Sequence, residues 1–367
     1  MSTTLQHLII ERIQREGPLS FADYMRMALY EPGYGYYVAG PAKMGWEGDY
    51  YTSSDVSSLF AHCMGRQLVQ MWELLEQPHP FVVLEQGSGR GNLAQQITTW
   101  AKQEHPAMYA ALDYQADDIR VGSDAIQVSH EKRVSVLLSN ELVDAFPVHV
   151  VEKRDGQLYE VFVDMHHGRM HEVLDEPSSE EVANYLDTYK IPWSNYDDGW
   201  RAEINLDALR WMQRSAQVLN SISTSRKQRG FLLTIDYGDK ARALYTRERQ
   251  RGTLACYFQH QLTERPLVRP GEQDITAHVN FSALIDEGRR QGLRLHTFTT
   301  QKAWLEAMGL DSEAEQLRKT NFAAMDTERA SDKGQVALLQ WYTLRQRIAA
   351  LTDLTGMGNF KILIMKR

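Results

Sequence analysis

The sequence predicts a doubly wound α/β fold with a mostly parallel sheet, and three observations carry that prediction. From Phe81 onward, short apolar runs alternate with stretches of helical period. The runs end in polar or acidic residues, the pattern of strands whose carboxyl ends face a ligand crevice. One of them, Phe81–Glu85, passes through Gly87-Ser88-Gly89-Arg90-Gly91 into a helix beginning at Asn92. A glycine turn at that place exposes backbone N–H groups at a helix start.

Residues 1–80 read as N-terminal helices with one long loop. Leu5, Leu8, Ile9 and Ile13 repeat at helical spacing, as do Phe60, Cys63, Met64, Met71, Leu74 and Leu75. The loop between, Glu31–Asp55, is dense in Gly and Tyr. It suits either a lid over a ligand or a tyrosine-rich surface loop. The main domain then spans 81–367. Its strands are expected at Phe81–Glu85, Tyr114–Asp118, Val134–Leu138, Phe231–Asp236, Leu293–Thr299 and Phe360–Met365. Asn92 and Gln95 have capping-box spacing, with Leu93, Ile97, Trp100 and Ala101 on the inner stripe. Val148–Met165 alternates like a hairpin turning at Asp155-Gly156, and opens an insertion at about 148–201. A helical block occupies about 300–356, including Val336–Ile348.

A formal net charge of −8 over 367 residues argues against nonspecific nucleic-acid binding and for a cationic partner. Cys63 and Cys256 stand far apart without a CxxC, so neither a disulfide framework nor a zinc site is expected. The N-terminus looks like neither a secretory signal nor an Arg-rich transit peptide, and no apolar run approaches the roughly 18 residues of a membrane span. These features point to a cytoplasmic protein with no metal.

The glycine loop alone suits several nucleotide-like ligands. Its GxGxG spacing differs from the usual dinucleotide pattern, GxGxxG/A, and Glu85 sits two residues before Gly87. A carboxylate there repels a pyrophosphate and attracts a zwitterionic sulfonium. A carboxylate ending the next strand would accept from ribose hydroxyls; Asp113, Asp117 and Asp118 all qualify. A third buried strand ends in Asn140-Glu141, with Asp144 three residues on. Two carboxylates there can grip a guanidinium and orient one nitrogen for in-line methyl transfer. The competing reading has Asp144 capping a turn and Glu141 facing water.

These stretches together resemble the MidA family of S-adenosylmethionine-dependent methyltransferases, which includes a mitochondrial assembly factor that methylates a protein arginine. The matching segments are Glu31–Tyr37, Gly48–Phe60, Glu85–Gly91, Ser139–Val151, Ile235–Asp239, Gly252–His260, Pro270–Phe281 and Gly358–Ile364. The resemblance implies a seven-stranded Rossmann-like sheet and S-adenosyl-L-methionine as cofactor. Thr52, Glu85, Gly87, Gly89, Gly91, Asp118 and Asn140 fall on its cofactor positions. Glu141, Asp144, Asp274 and His278 fall on its catalytic or substrate-edge positions, although His278 also suits a structural role. The substrate implied is a protein presenting an arginine, and a homodimer is compatible. The chain departs from the family at Ser54-Asp55, at Ser88, and in a short region between Asp118 and Val134.

Two other readings differ in class. A non-catalytic assembly protein could keep the fold, which the shortened region favours and the intact glycine loop opposes. A nucleotide-dependent oxidoreductase is disfavoured by Glu85 and the loop spacing.

Overall fold

The computed structural model describes residues 4–39, 53–118, 133–220, 230–259 and 261–367. Its central sheet has six strands among the described residues: β1 (Phe81–Gln86), β2 (Leu112–Asp117), β3 (Val136–Asn140), β4 (Phe231–Asp236), β5 (Arg294–Thr300) and β6 (Lys361–Lys366). They lie in the order β5-β6-β4-β3-β1-β2. The four strands from β2 to β4 are mutually parallel, and β6 runs antiparallel to both its neighbours. Each strand of the expected main set is present, shifted by no more than two residues at either end. Thr52 and residues 119–132, most of the short region between Asp118 and Val134, lie outside the described residues.

Both faces of β1, β3, β4 and β6 are buried because their side chains alternate between two helical layers. Phe81 and Val83 point to the layer containing α3 (Ser58–Leu74) and α4 (Asn92–Glu104). Val82 and Leu84 point to the other, with Trp211 and Met212 of α5 (Leu206–Asn220) and Phe281 and Leu284 of α6 (Phe281–Arg290). Helices on both faces make the sheet doubly wound.

The expected hairpin is present as strands His149–Arg154 and Gln157–His166, with Asp155 (φ +51°) and Gly156 (φ +75°) in its turn. It belongs to a larger five-stranded antiparallel sheet. Leu19-Ser20 from the N-terminal segment adds to one side of it, pairing Leu19 with Val163. The N-terminal helices α1 (Thr4–Glu16) and α2 (Phe21–Tyr30) pack on this sheet through Ile9, Phe21, Met25, Val150 and Val161.

One local expectation is corrected. Asn92 does not cap α4: Gly91 occupies the cap in a left-handed conformation (φ +73°), and no side chain closes the helix start. The Asn92 amide instead donates to Asp55 Oδ1 at 3.2 Å. The four first N–H groups of α4 are thus left to the backbone and to whatever binds the loop.

Candidate active site

The glycine loop follows β1 and the Asn140-Glu141 turn follows β3, at the point where chain order reverses in the sheet. In doubly wound sheets the ligand crevice opens at that switch point. Gly87 (φ +70°) and Gly91 (φ +73°) bend the loop back on itself, and Gly91 N–H donates to Ser88 O at 2.8 Å. Ser88 N–H donates to Asp117 O at 3.1 Å, which ties the loop to the end of β2. Asp118 follows there, exposed. Glu85 is buried and accepts from the Tyr114 hydroxyl at 3.0 Å. Burial, with the charge of Asp118 beside it, pushes its carboxyl up to about 7.

Past β3, Glu141 adopts φ +51°, a left-handed conformation rare for a residue with a side chain. Its N–H donates to Ile235 O at 2.8 Å, fastening β3 to β4. Its carboxylate accepts from Ser53 N–H at 2.9 Å and from the Asn140 amide at 3.2 Å. Burial, then the charge of Asp144, raises its carboxyl to about 8.

Asp144 is 6 % exposed and takes the Tyr237 hydroxyl on Oδ2. Desolvation raises it to about 6. Beneath it, Asp236 at the end of β4 is fully buried. Its Oδ2 accepts from Val143 N–H at 2.8 Å and Asp144 N–H at 3.3 Å, so it braces the turn that carries Asp144. Burial and the charges of Asp144 and Glu141 hold Asp236 well above the usual carboxylate range. Among the described residues, Asn140 Oδ1 and Asp144 Oδ1 in this cluster are buried without a hydrogen-bond partner. Orphaned buried acceptors are costly and point to a ligand that completes them.

The opposite wall comes from distant chain. Asp274, 2 % exposed, accepts from the Tyr37 hydroxyl at 2.7 Å. Tyr30 stacks on Tyr37 with ring centroids 5.5 Å apart and donates to Ala145 O at 2.8 Å. The His278 ring lies edge-on to Tyr237 at 5.4 Å, and the His278 backbone N–H donates to Thr253 Oγ1 at 3.0 Å. Burial, then the charge of Arg249, lowers its imidazole to about 4, so it is neutral at pH 7.

The structure therefore joins Asn140, Glu141, Asp144 and His278 in one network of contacts, ties Asp274 to it through Tyr37 and Tyr30, and sets Glu85, Gly87, Gly89, Gly91 and Asp118 at the ends of β1 and β2 beside it. Glu141 does not simply face water, as the competing reading had it. Sequence reasoning missed Asp236 and Tyr237 as members of the cluster. They end a buried strand in polar residues, the same signal that singled out Asn140-Glu141 one strand away. It missed Ser53 and Tyr37 too, whose roles depend on long-range folding.

A family model described as "Putative S-adenosyl-L-methionine-dependent methyltransferase" matches residues 63–127 and 119–299. The chain belongs to this family. The protein arginine methyltransferase NDUFAF7 homolog, mitochondrial, of Drosophila melanogaster is 26% identical over 306 residues, covering 74% of this chain and 66% of that protein. The mitochondrial protein arginine methyltransferase NDUFAF7 of Rattus norvegicus is 26% identical over 351 residues, covering 84% of this chain and 74% of that protein. A crystal structure from Burkholderia thailandensis, bound to S-adenosyl-homocysteine, superposes with a TM-score of 0.81 at 24% identity, covering 100% of this chain and 92% of that one.

The chain is accordingly an S-adenosylmethionine-dependent methyltransferase with an α/β methyltransferase fold. The expectation of a cytoplasmic protein is overturned, because these curated relatives are mitochondrial proteins. Among the described residues, no helix is long and apolar enough to cross a membrane. The site fits the cofactor on two observations. The turn at Gly87 and Gly91 leaves N–H groups at the start of α4 without a side-chain cap. The orphaned Asn140 Oδ1 is an acceptor suited to an ammonium group.

Proposed function

We propose that this methyltransferase modifies a guanidinium nitrogen of an arginine in a protein. The observation that carries the reading is the unpartnered Asp144 Oδ1 inside a cluster of buried carboxylates. A fixed cation with several donors is the group that such a cluster lacks. Arginine supplies it, because its guanidinium stays charged and its fork of N–H groups matches carboxylates. The two relatives named above support it by their names.

On this reading Glu141 and Asp144 hold the guanidinium and orient one nitrogen, with Tyr237 and Asp236 keeping Asp144 in place. Gly87, Gly89 and Gly91, with Glu85, Asp118 and Asn140, hold S-adenosylmethionine, which when bound supplies a methyl group on a sulfonium. Thr52 is assigned to the same side by the resemblance alone. Transfer turns the sulfonium into a neutral thioether, and the methylated guanidinium sheds one proton to remain a monocation. Glu141, raised to about 8, can hold that proton. Tyr30 and Tyr37, anchored at Ala145 and Asp274, form a strap at the substrate side, beside Asp274 and neutral His278.

Glu141→Gln keeps the shape of the side chain and removes its capacity to ionise and to take up a proton. It should lower methyl transfer roughly 10–100-fold, the worth of a charged hydrogen bond. Binding of S-adenosylhomocysteine, measured by calorimetry, should stay within a few-fold. Full transfer activity in this variant would refute the clamp.

A further inference from the structure

We infer that Arg249 reads a carboxylate in the substrate next to the arginine that is methylated. The inference rests on the proposed arginine substrate and adds a second contact to it.

Arg249 lies in the loop between the helix Ala241–Leu244 and the strand Ala255–Phe258. Its carbonyl accepts from Gly252 N–H at 3.2 Å. Glu203 pins the next residue, accepting from Thr253 N–H at 2.9 Å and from its hydroxyl at 2.8 Å. The fit is close: a Cβ on Gly252 would stand 2.0 Å from Glu203 Oε1. Thr253 in turn holds the His278 backbone. The loop is therefore fastened to the substrate edge of the crevice, and Arg249 is held with it.

The loop's three arginines differ in one respect. Arg247 pairs with Asp197 at 2.8 Å and Arg251 with Glu264 at 2.9 Å, both at the surface. Among the described residues Arg249 makes no such pair, and its Nη1 is buried with no hydrogen-bond partner there. The other cation nearby, Lys361, is already matched by Asp239 at 3.3 Å and Asn359 at 2.8 Å. A buried guanidinium nitrogen without an acceptor is costly.

Its position explains what it is for. The loop that carries Arg249 holds the His278 backbone through Thr253, and the Arg249 charge lowers the His278 imidazole; His278 abuts Tyr237, and Tyr237 donates to Asp144. A short row of side chains thus has an orphaned cationic donor at one end and an orphaned anionic acceptor at the other. A peptide offering an arginine and a neighbouring carboxylate complements both. The rest of the crevice is acidic and the chain's net charge is −8. Without Arg249, an acidic peptide should be repelled.

The test uses the full chain saturated with S-adenosylhomocysteine and two five-residue peptides with a central arginine. One flanks it with aspartates, the other with asparagines. Calorimetry should show the aspartate peptide binding the wild type about ten-fold more tightly, about 1.4 kcal/mol. In Arg249→Gln the preference should vanish or reverse, with affinity for S-adenosylhomocysteine retained. Equal binding of both peptides by the wild type overturns the inference, as does a preference that survives in the variant; either leaves the arginine substrate standing. Binding of neither peptide by a chain that still binds S-adenosylhomocysteine overturns the arginine reading and the inference with it. If Arg249→Gln does not fold, Arg249→Met keeps the aliphatic stem and takes its place.

Discussion

Glu141 concentrates the site's chemistry in one residue. Its left-handed backbone turns the chain out of β3, its N–H fastens that turn to β4, and its carboxylate receives Ser53 from the N-terminal segment. Holding a carboxyl at about 8 has a consequence for stability. A carboxyl raised in the folded state stabilises most below its unfolded pKa, and that contribution is lost as pH climbs through the folded value. The window for Glu141 runs from about 4.5 to about 8. Glu141→Gln, which never ionises, should therefore gain on the wild type as pH rises. Thermal unfolding followed from pH 5 to pH 9 should show an advantage growing by several kcal/mol, roughly 1.4 kcal/mol for each pH unit crossed between the two pKa values. A difference independent of pH would mean that the carboxyl is not raised. Substrate binding should run the other way, since a guanidinium needs the carboxylate. At this scale the sequence was partly legible: Asn140, Glu141 and Asp144 stand out as polar residues closing an apolar run. Asp236 and Tyr237 join them only through pairing between β3 and β4, which no local pattern announces.

Between elements, the two loops at the switch point bear on each other. A Cβ on Gly87 would stand 2.7 Å from Leu142 Cδ1, and Leu142 directly follows Glu141. Gly87 thus meets two demands, a φ of +70° and room for the neighbouring loop. Gly87→Ala should weaken S-adenosylhomocysteine binding by tenfold or more, through strain of about 1–2 kcal/mol and displacement of the Asn140-Glu141 turn. Adding Leu142→Ala should recover only part of the loss, because the backbone strain remains. Wild-type affinity in Gly87→Ala would contradict this account of the loop. Strand positions were readable because buried strands leave continuous apolar runs. The start of α4 was misread because Asn92 has the right side chain one residue too late. The cap is set by the left-handed Gly91, which capping-box spacing does not register.

On the scale of the whole molecule, the crevice is closed by contacts between residues far apart in the chain. Tyr37 reaches Asp274 across 237 residues, and Ser53 reaches Gln301 across 248. Neither is visible to periodicity, and the edge strand Leu19-Ser20 is too short to be read as one. What the sequence did carry was an ordered set of motifs, and with it the methyltransferase family. The compartment was misjudged from it: these curated relatives are mitochondrial proteins. The central claim is that the methyl group goes to arginine. Purified protein, labelled S-adenosylmethionine and a lysate of cells lacking this protein, followed by acid hydrolysis and mass spectrometry of the labelled amino acids, test it directly. The account predicts labelled methylarginine on a discrete protein, lost with Glu141→Gln. Label confined to lysine, to small molecules or to nucleic acid would contradict it.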